Sequence, residues 1–207
     1  MTARILATHR APPMTRSRLA TAGFLIAWAT AGTVVGAGLM RSHWVPLVVP
    51  PADAPAAGDS RREVGEWLAL HVLAADCGCS RRVLAHLNRR GPEPGVRERI
   101  LWVGSASHPP AVSPGFEVEC LTAETLAAEH RIEAVPVLVV VGPDGTVRYR
   151  GGYTARKQGY DIRDRQIVAA VRRGEPALPL PVYGCPSSAR AKAAASPFPD
   201  WTRGDVP

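Results

Sequence analysis

From Trp67 to Ala75 the chain reads Trp-Leu-Ala-Leu-His-Val-Leu-Ala-Ala, and the one polar side chain in that stretch is His71. The run begins at Glu66 and has the length of a strand. Its lack of apolar–polar alternation predicts a strand covered on both faces, which forces packed layers on either side of a sheet. Ile100 to Gly104 and Val135 to Val141 are further apolar runs of the same kind. With 46% apolar residues in 207 positions, there is enough material for one sizeable core and something besides.

Directly after the first run comes Asp76-Cys77-Gly78-Cys79-Ser80-Arg81-Arg82, and then Val83, Leu84 and Leu87 at helical spacing until Gly91-Pro92. This places Cys77 and Cys79 at a helix N-terminus. The unpaired N–H groups and positive dipole end there favour a thiolate, the reactive form of the residue. Read alone, a C-x-C pair is equally a structural surface disulfide or two reduced thiols in a loop. Asp76 opposes ionisation of Cys77 while Arg81 or Arg82 favours it, so the net sign stays open. The pairs Arg81-Arg82 and Arg89-Arg90 read as the solvated face of that helix.

Further along, Phe116 to Leu121 is a strand carrying Cys120, which reads as a buried apolar residue. Thr122 then caps a helix over Ala123 to His130. Val135 to Val141, the turn Pro143-Asp144-Gly145 and Thr146 to Arg150 form a hairpin. Asp161 to Arg173 is an amphipathic closing helix. The order β–α–β, β–α, β–β–α predicts an α/β fold, a mixed sheet with helices on both faces. A proline at the mouth of a central strand cannot donate to the ladder, which marks Pro136 for a specific role.

The N-terminal part is of another kind. Leu19 to Met40 contains no charge, and those 22 residues would make a helix of roughly 33 Å, about one bilayer core. Arg4, Arg10, Arg16 and Arg18 precede it without an acid, so the positive-inside tendency holds the N-terminus in the cytoplasm. The expected topology is a single pass through the cell inner membrane with the domain on the periplasmic, extracytoplasmic side. A signal peptide cleaved near Val35-Gly36-Ala37 competes with a retained anchor, and the length of the apolar run favours the anchor. Gly32 and Gly36 have the G-x-x-x-G spacing of close helix approach. The expected divisions are 1–18 as a basic cytoplasmic segment, 19–40 as the anchor, 41–60 as a Pro/Ala-rich linker, 61–174 as the folded domain, and 175–207 as an extension with Cys185 and a disordered end.

A net charge of +7 ordinarily suggests nucleic acid. Here 23 of the 25 basic residues are arginines scattered among Ala, Pro and Gly, with no aromatic–basic module, so no nucleic-acid partner is expected. Four cysteines are too few for a disulfide scaffold and are spaced unlike a zinc ribbon.

The succession of apolar strand, cysteine motif and helix, followed by Ile132-Glu-Ala-Val-Pro136-Val-Leu-Val-Val-Val-Gly-Pro-Asp-Gly145, resembles the thioredoxin fold over about residues 61 to 174. The resemblance implies a cis-Pro136 facing the thiols and a Val135 whose backbone pairs with an incoming substrate chain. It departs from the usual C-x-x-C. Registering Arg81 on the basic residue that often follows the second cysteine makes Cys77 the attacking thiol and puts Ser80 where the resolving one would sit. The C-x-C-[ST]-R pattern, together with Val182-Tyr-Gly-Cys185-Pro186, is similar to the membrane-anchored, thioredoxin-like proteins catalogued as RedB.

The expected chemistry is attack of the Cys77 thiolate on a disulfide and release through a second thiol. The partners would be protein thiols or disulfides and a redox partner of unknown identity, with no cofactor and no metal. Cys79 is the nearest second thiol, Gly78 supplying backbone freedom for a strained ring. Cys185 is a possible resolving residue from the tail. His71 lies six positions before Cys77, where thioredoxins often keep a buried acid; it is either a proton relay or a histidine bonded within the sheet. The alternative reading is copper binding by Cys77, Cys79 and Cys185, with His108 or His130 as further ligand candidates.

Overall fold

The computed structural model describes residues 16–44, 65–104, 110–157 and 159–195. The chain divides into two units, Met1–Met40 and Arg41–Pro207. In the first, helix α1 (Arg16–Trp44) contains the stretch Leu19–Ala37 with a mean hydropathy of 1.6, long and apolar enough to cross a membrane. Phe24, Ile26 and Trp28 of this helix are all exposed. Its Thr21 and Thr33 hydroxyls donate to the carbonyls of Ser17 and Ala29 at 3.0 and 2.8 Å, which removes their need for water. The helix continues through the first four residues expected as linker, and residues 45–64 lie outside the described residues.

The second unit is built on a five-stranded sheet in the order β3–β2–β1–β5–β6. Its strands are β1 (Leu68–Ala74), β2 (Arg97–Val103), β3 (Glu117–Leu121), β5 (Val137–Val141) and β6 (Val147–Gly151). The first three are parallel, while β5 and β6 run antiparallel. Every residue of the central β1 is buried, as its unbroken apolar run requires. On one face Leu68, Leu70, Val72 and Ala74 pack with Leu126, Ile132 and Val182. On the other, Ala69 and Leu73 meet Val83 and Leu87 of α2 (Gly78–Arg90), and Ile167, Val168 and Val171 of α4 (Asp164–Arg172).

Three elements differ from expectation. The helix after Thr122 starts as predicted, the Thr122 hydroxyl accepting from the Thr125 N–H at 3.1 Å. After α3 (Ala123–Thr125) it widens into a single π turn, Leu126–His130, which seats Leu126 in the core. The single strand expected from Val135 to Val141 is two. Pro136 has no N–H, so the ladder breaks there, and β4 (Ala134–Val135) leaves the main sheet for a two-stranded one. Its partner is β7 (Cys185–Pro186), from the extension beyond α4, which also carries helix α5 (Ala189–Ala195). Residues 196–207, where a disordered end was expected, lie outside the described residues. Parallel strands joined by α2, an antiparallel hairpin after Pro136 and helices on both faces make this domain thioredoxin-like.

Candidate active site

Cys77 is the N-cap of α2, with extended backbone angles of −101° and 116°, and its side chain is fully buried. The local reason is the junction itself. Strand β1 ends against the sheet at Ala74, Asp76 lies in the exposed turn, and the helix begins at Gly78. The Sγ atom lies 3.8 Å from the Val135 carbonyl oxygen, and the Val135–Pro136 peptide is cis. Cys77, Val135 and Pro136 are therefore brought together from positions almost sixty apart in sequence.

Three groups favour the Cys77 thiolate. Hydrogen bonding from the Cys185 thiol, then from the Cys79 thiol and the Ser80 backbone N–H, outweighs burial and holds its pKa far below the ordinary thiol value. The Ser80 hydroxyl is buried and has no hydrogen-bond partner among the described residues. The opposite happens at the two donors. Hydrogen bonding to Cys77, burial and the charge on Cys77 push the thiols of Cys79 and Cys185 up, with Arg82 partly offsetting this for Cys79. The surroundings thus favour a thiolate at Cys77 and protonated thiols at Cys79 and Cys185. A shallow cavity beside them is lined by Cys79, Arg82, Pro136, Tyr153 and Tyr183.

His71 is completely buried, with Nδ1 2.9 Å from the Tyr153 hydroxyl and Nε2 3.4 Å from the Glu98 carboxylate. A carboxylate only accepts, so Nε2 is the donor in this contact. The structure thus joins His71 to a network rather than to a thiol, and Tyr153 is the member that also reaches the cavity beside Cys79. The network continues through Arg90, which donates to Glu98 at 2.7 and 3.0 Å and to Asp164 at 2.7 Å, with His86 3.0 Å from Asp164. Bonds from His71 and Arg90 overcome burial and hold the Glu98 carboxyl down at about 2.

This corrects the reading of Arg89-Arg90 as a solvated face. Arg90, in the last turn of α2, reaches over the helix end to two buried acids, one on β2 and one on α4. Of the other pair, Arg81 donates to the Ala75 carbonyl at 3.1 Å and Arg82 sits over the Tyr160 ring. Cys120 is half-buried on the edge strand β3, paired with Trp102 and outside the thiol group.

Sequence reasoning missed Ser80 as a donor, the Tyr153–His71–Glu98–Arg90–Asp164 network, and the β4–β7 pairing. Among the described residues no group of three or more His, Cys, Asp or Glu side chains is placed to hold a metal ion. His108 lies outside the described residues.

No protein-family model matches the chain, and no curated protein matches it significantly. Among solved structures it is similar to a hypothetical protein from Sinorhizobium meliloti, with 17% identity, coverage of 61% of this chain and 82% of that one, and a TM-score of 0.49. An uncharacterized conserved protein from Geobacillus kaustophilus matches at 16% identity, covering 60% and 77%, with a TM-score of 0.46. The thioredoxin domain of a thiol-disulfide oxidoreductase from Bacteroides vulgatus matches at 11% identity, covering 61% and 99%, with a TM-score of 0.38. None of these likenesses is close enough to carry a function to this chain.

Proposed function

We propose that this protein is a membrane-anchored, extracytoplasmic thiol–disulfide oxidoreductase of the RedB type, with Cys77 as its nucleophile. The observation that carries the reading is a buried cysteine at a helix N-cap, beside a cis-proline, with Cys185 and Cys79 close enough to lower its pKa by hydrogen bonding. In the forward direction the Cys77 thiolate attacks one sulfur of a protein disulfide, forms a mixed disulfide and expels the other sulfur as a thiolate. A second thiol of the enzyme then displaces the substrate from Cys77. Run in reverse, the same two transfers oxidise a dithiol. The short edge strand β4, with Val135 beside the thiolate, is where a substrate main chain would add as a strand.

The anchor is α1, with the domain outside the cytoplasm, on the strength of the charge-free run and the arginines before it. The test is exchange between the full chain in detergent and a peptide disulfide. Cys77→Ser should abolish it. Full activity in that variant would show that the nucleophile, and with it the proposal, is wrong.

A further inference from the structure

The segment after α4 does more than trail away from the domain. At its start, the Leu180 N–H donates to the Tyr149 hydroxyl at 3.1 Å and the Leu180 carbonyl accepts from the Gly152 N–H at 2.8 Å. A side chain at Gly152 would place its Cβ 2.0 Å from the Pro181 carbonyl oxygen. Val182 is buried in the same apolar cluster as Cys77 and Val135. Cys185 then pairs with Val135 and Pro186 with Ala134, antiparallel, and the Ser187 N–H donates to the Glu133 carbonyl at 2.8 Å. Beyond the strand, the Ser188 hydroxyl donates to Glu133 at 2.7 Å, Arg190 pairs with the same carboxylate, and Lys192 lies 3.8 Å from Asp76.

Two features make this more than a docked tail. The chain passes so close to β4 at Gly184 that any Cβ there would lie 1.7 Å from the Val135 carbonyl oxygen, which only glycine tolerates. And Cys77, the nucleophile, is wholly inaccessible with this segment in place. A reactive thiol needs some exposure to meet a substrate.

We propose that Val182 to Ser187 is a tethered strand that fills the substrate edge of β4 and delivers Cys185 to Cys77 as its resolving thiol, so that Cys77–Cys185, and not Cys77–Cys79, is the enzyme's own disulfide. The inference rests on the thiol-exchange reading above and names the partner within it. A Cys77–Cys79 bond would close a small ring across the N-cap and first turn of α2, whereas Cys185 approaches from a separate strand with no such ring to close.

The steps balance. An incoming chain displaces the strand and adds to β4, Cys77 opens its disulfide, and one substrate sulfur leaves as a thiolate. With the negative charge on Cys77 gone, the main force holding the proton on Cys185 is gone too. Cys185 loses that proton to the departed thiolate or to water and attacks Cys77 Sγ. The bond from Cys77 to the substrate breaks, the second substrate sulfur leaves, and the Cys77–Cys185 bond forms. Two electrons have passed from two enzyme thiols to the substrate disulfide, and a dithiol returns them. At β4 the strand is held by a two-residue ladder in which Pro186 cannot donate, so that part of it can leave and come back while Val182 and the Ser187 and Ser188 contacts to Glu133 keep it tethered.

The full chain in detergent micelles, oxidised with diamide, blocked with N-ethylmaleimide in denaturant and digested, should yield a Cys77–Cys185 peptide pair on mass mapping, with Cys79 alkylated. Cys79→Ser should keep that pair. Gly184→Val should lose it. In the reduced native protein, Gly184→Val should raise the rate of Cys77 alkylation by iodoacetamide about tenfold or more, because the covering strand is displaced. A Cys77–Cys79 pair with Cys185 freely alkylated overturns this inference and leaves the exchange reading intact. Equal Cys77 alkylation in wild type and in a Gly184→Val protein of unchanged melting temperature also overturns it. A Cys77 that forms no disulfide with any partner removes the exchange reading, and this inference with it.

Discussion

Replacing Arg90 by Met tests whether the buried polar network beneath α2 is a structural necessity. The guanidinium is almost inaccessible and is shared by two carboxylates that are equally buried, Glu98 and Asp164, through contacts of 2.7, 3.0 and 2.7 Å. Met fills most of the volume but leaves both acids without their counter-charge, a change that costs about 3–5 kcal/mol in buried pairs. For a domain of this size that corresponds to a fall of roughly 10–20 °C in melting temperature. The pH dependence gives a second reading. Glu98 is held at about 2 against an ordinary 4.5. A depressed folded pKa means that its contribution, about 3 kcal/mol, is fully present above pH 4.5 and is lost as pH falls towards 2. Without Arg90, burial pushes the same carboxyl up, so the loss should begin at a higher pH. Thermal melts followed by far-UV circular dichroism from neutral to acid pH measure both effects. A melting temperature within a degree or two of wild type, with the same acid limb, would refute the assignment of Arg90 as the network's centre.

Thiolate absorbance at 240 nm should persist in the reduced protein from about pH 8 down to about pH 5 and vanish in Cys77→Ser, because the folded site depresses that thiol's pKa. Cys185→Ala should shift the titration upward, since the largest donor to the thiolate is removed; an unchanged titration would mean that Cys185 is not there. A reporter fused after Gly58 should be active only outside the cytoplasm, and cytoplasmic activity would overturn the topology. Glu133→Gln, which removes an exposed ion pair with Arg190, should change the melting temperature by no more than about 2 °C.

The centre of the sheet was legible because β1 and β5 are buried on both faces, and the unbroken runs Leu68–Ala74 and Val137–Val141 say so without help from context. Cys77 was legible for the same reason, as the residue where such a run turns into a helix. What stayed hidden depends on contacts far apart in sequence. Arg90 looks like any surface arginine beside Arg89 until β2 and α4 bring Glu98 and Asp164 beneath it. His71 was placed correctly as the polar exception in β1, but its partners come from positions 98 and 153. The break at Pro136 carried a local signal, the missing N–H. The pairing of β4 with β7 had only a faint one, in Gly184 beside a cysteine and a proline.

The sign of the charge balance at Cys77 was left open by sequence, because Asp76 and the two arginines pull in opposite directions. The structure shows why neither decides it. Asp76 is exposed in the turn, where solvent screens it, and it lies beside Lys192 at the far end of the tail. Arg81 spends its guanidinium on the Ala75 carbonyl, and Arg82 leans over Tyr160. What remains are short-range donors in a buried pocket, where a hydrogen bond to a charge counts for more than a screened charge several ångströms away. Two of those donors, Cys79 and Ser80, come with the helix start itself. The largest, Cys185, arrives from the tail. On the proposed mechanism the strand that covers Cys77 is also the one that most favours its thiolate, so a substrate that displaces the tail would meet a thiolate already formed while removing its main support. That coupling favours attack promptly after displacement over a long-lived open state.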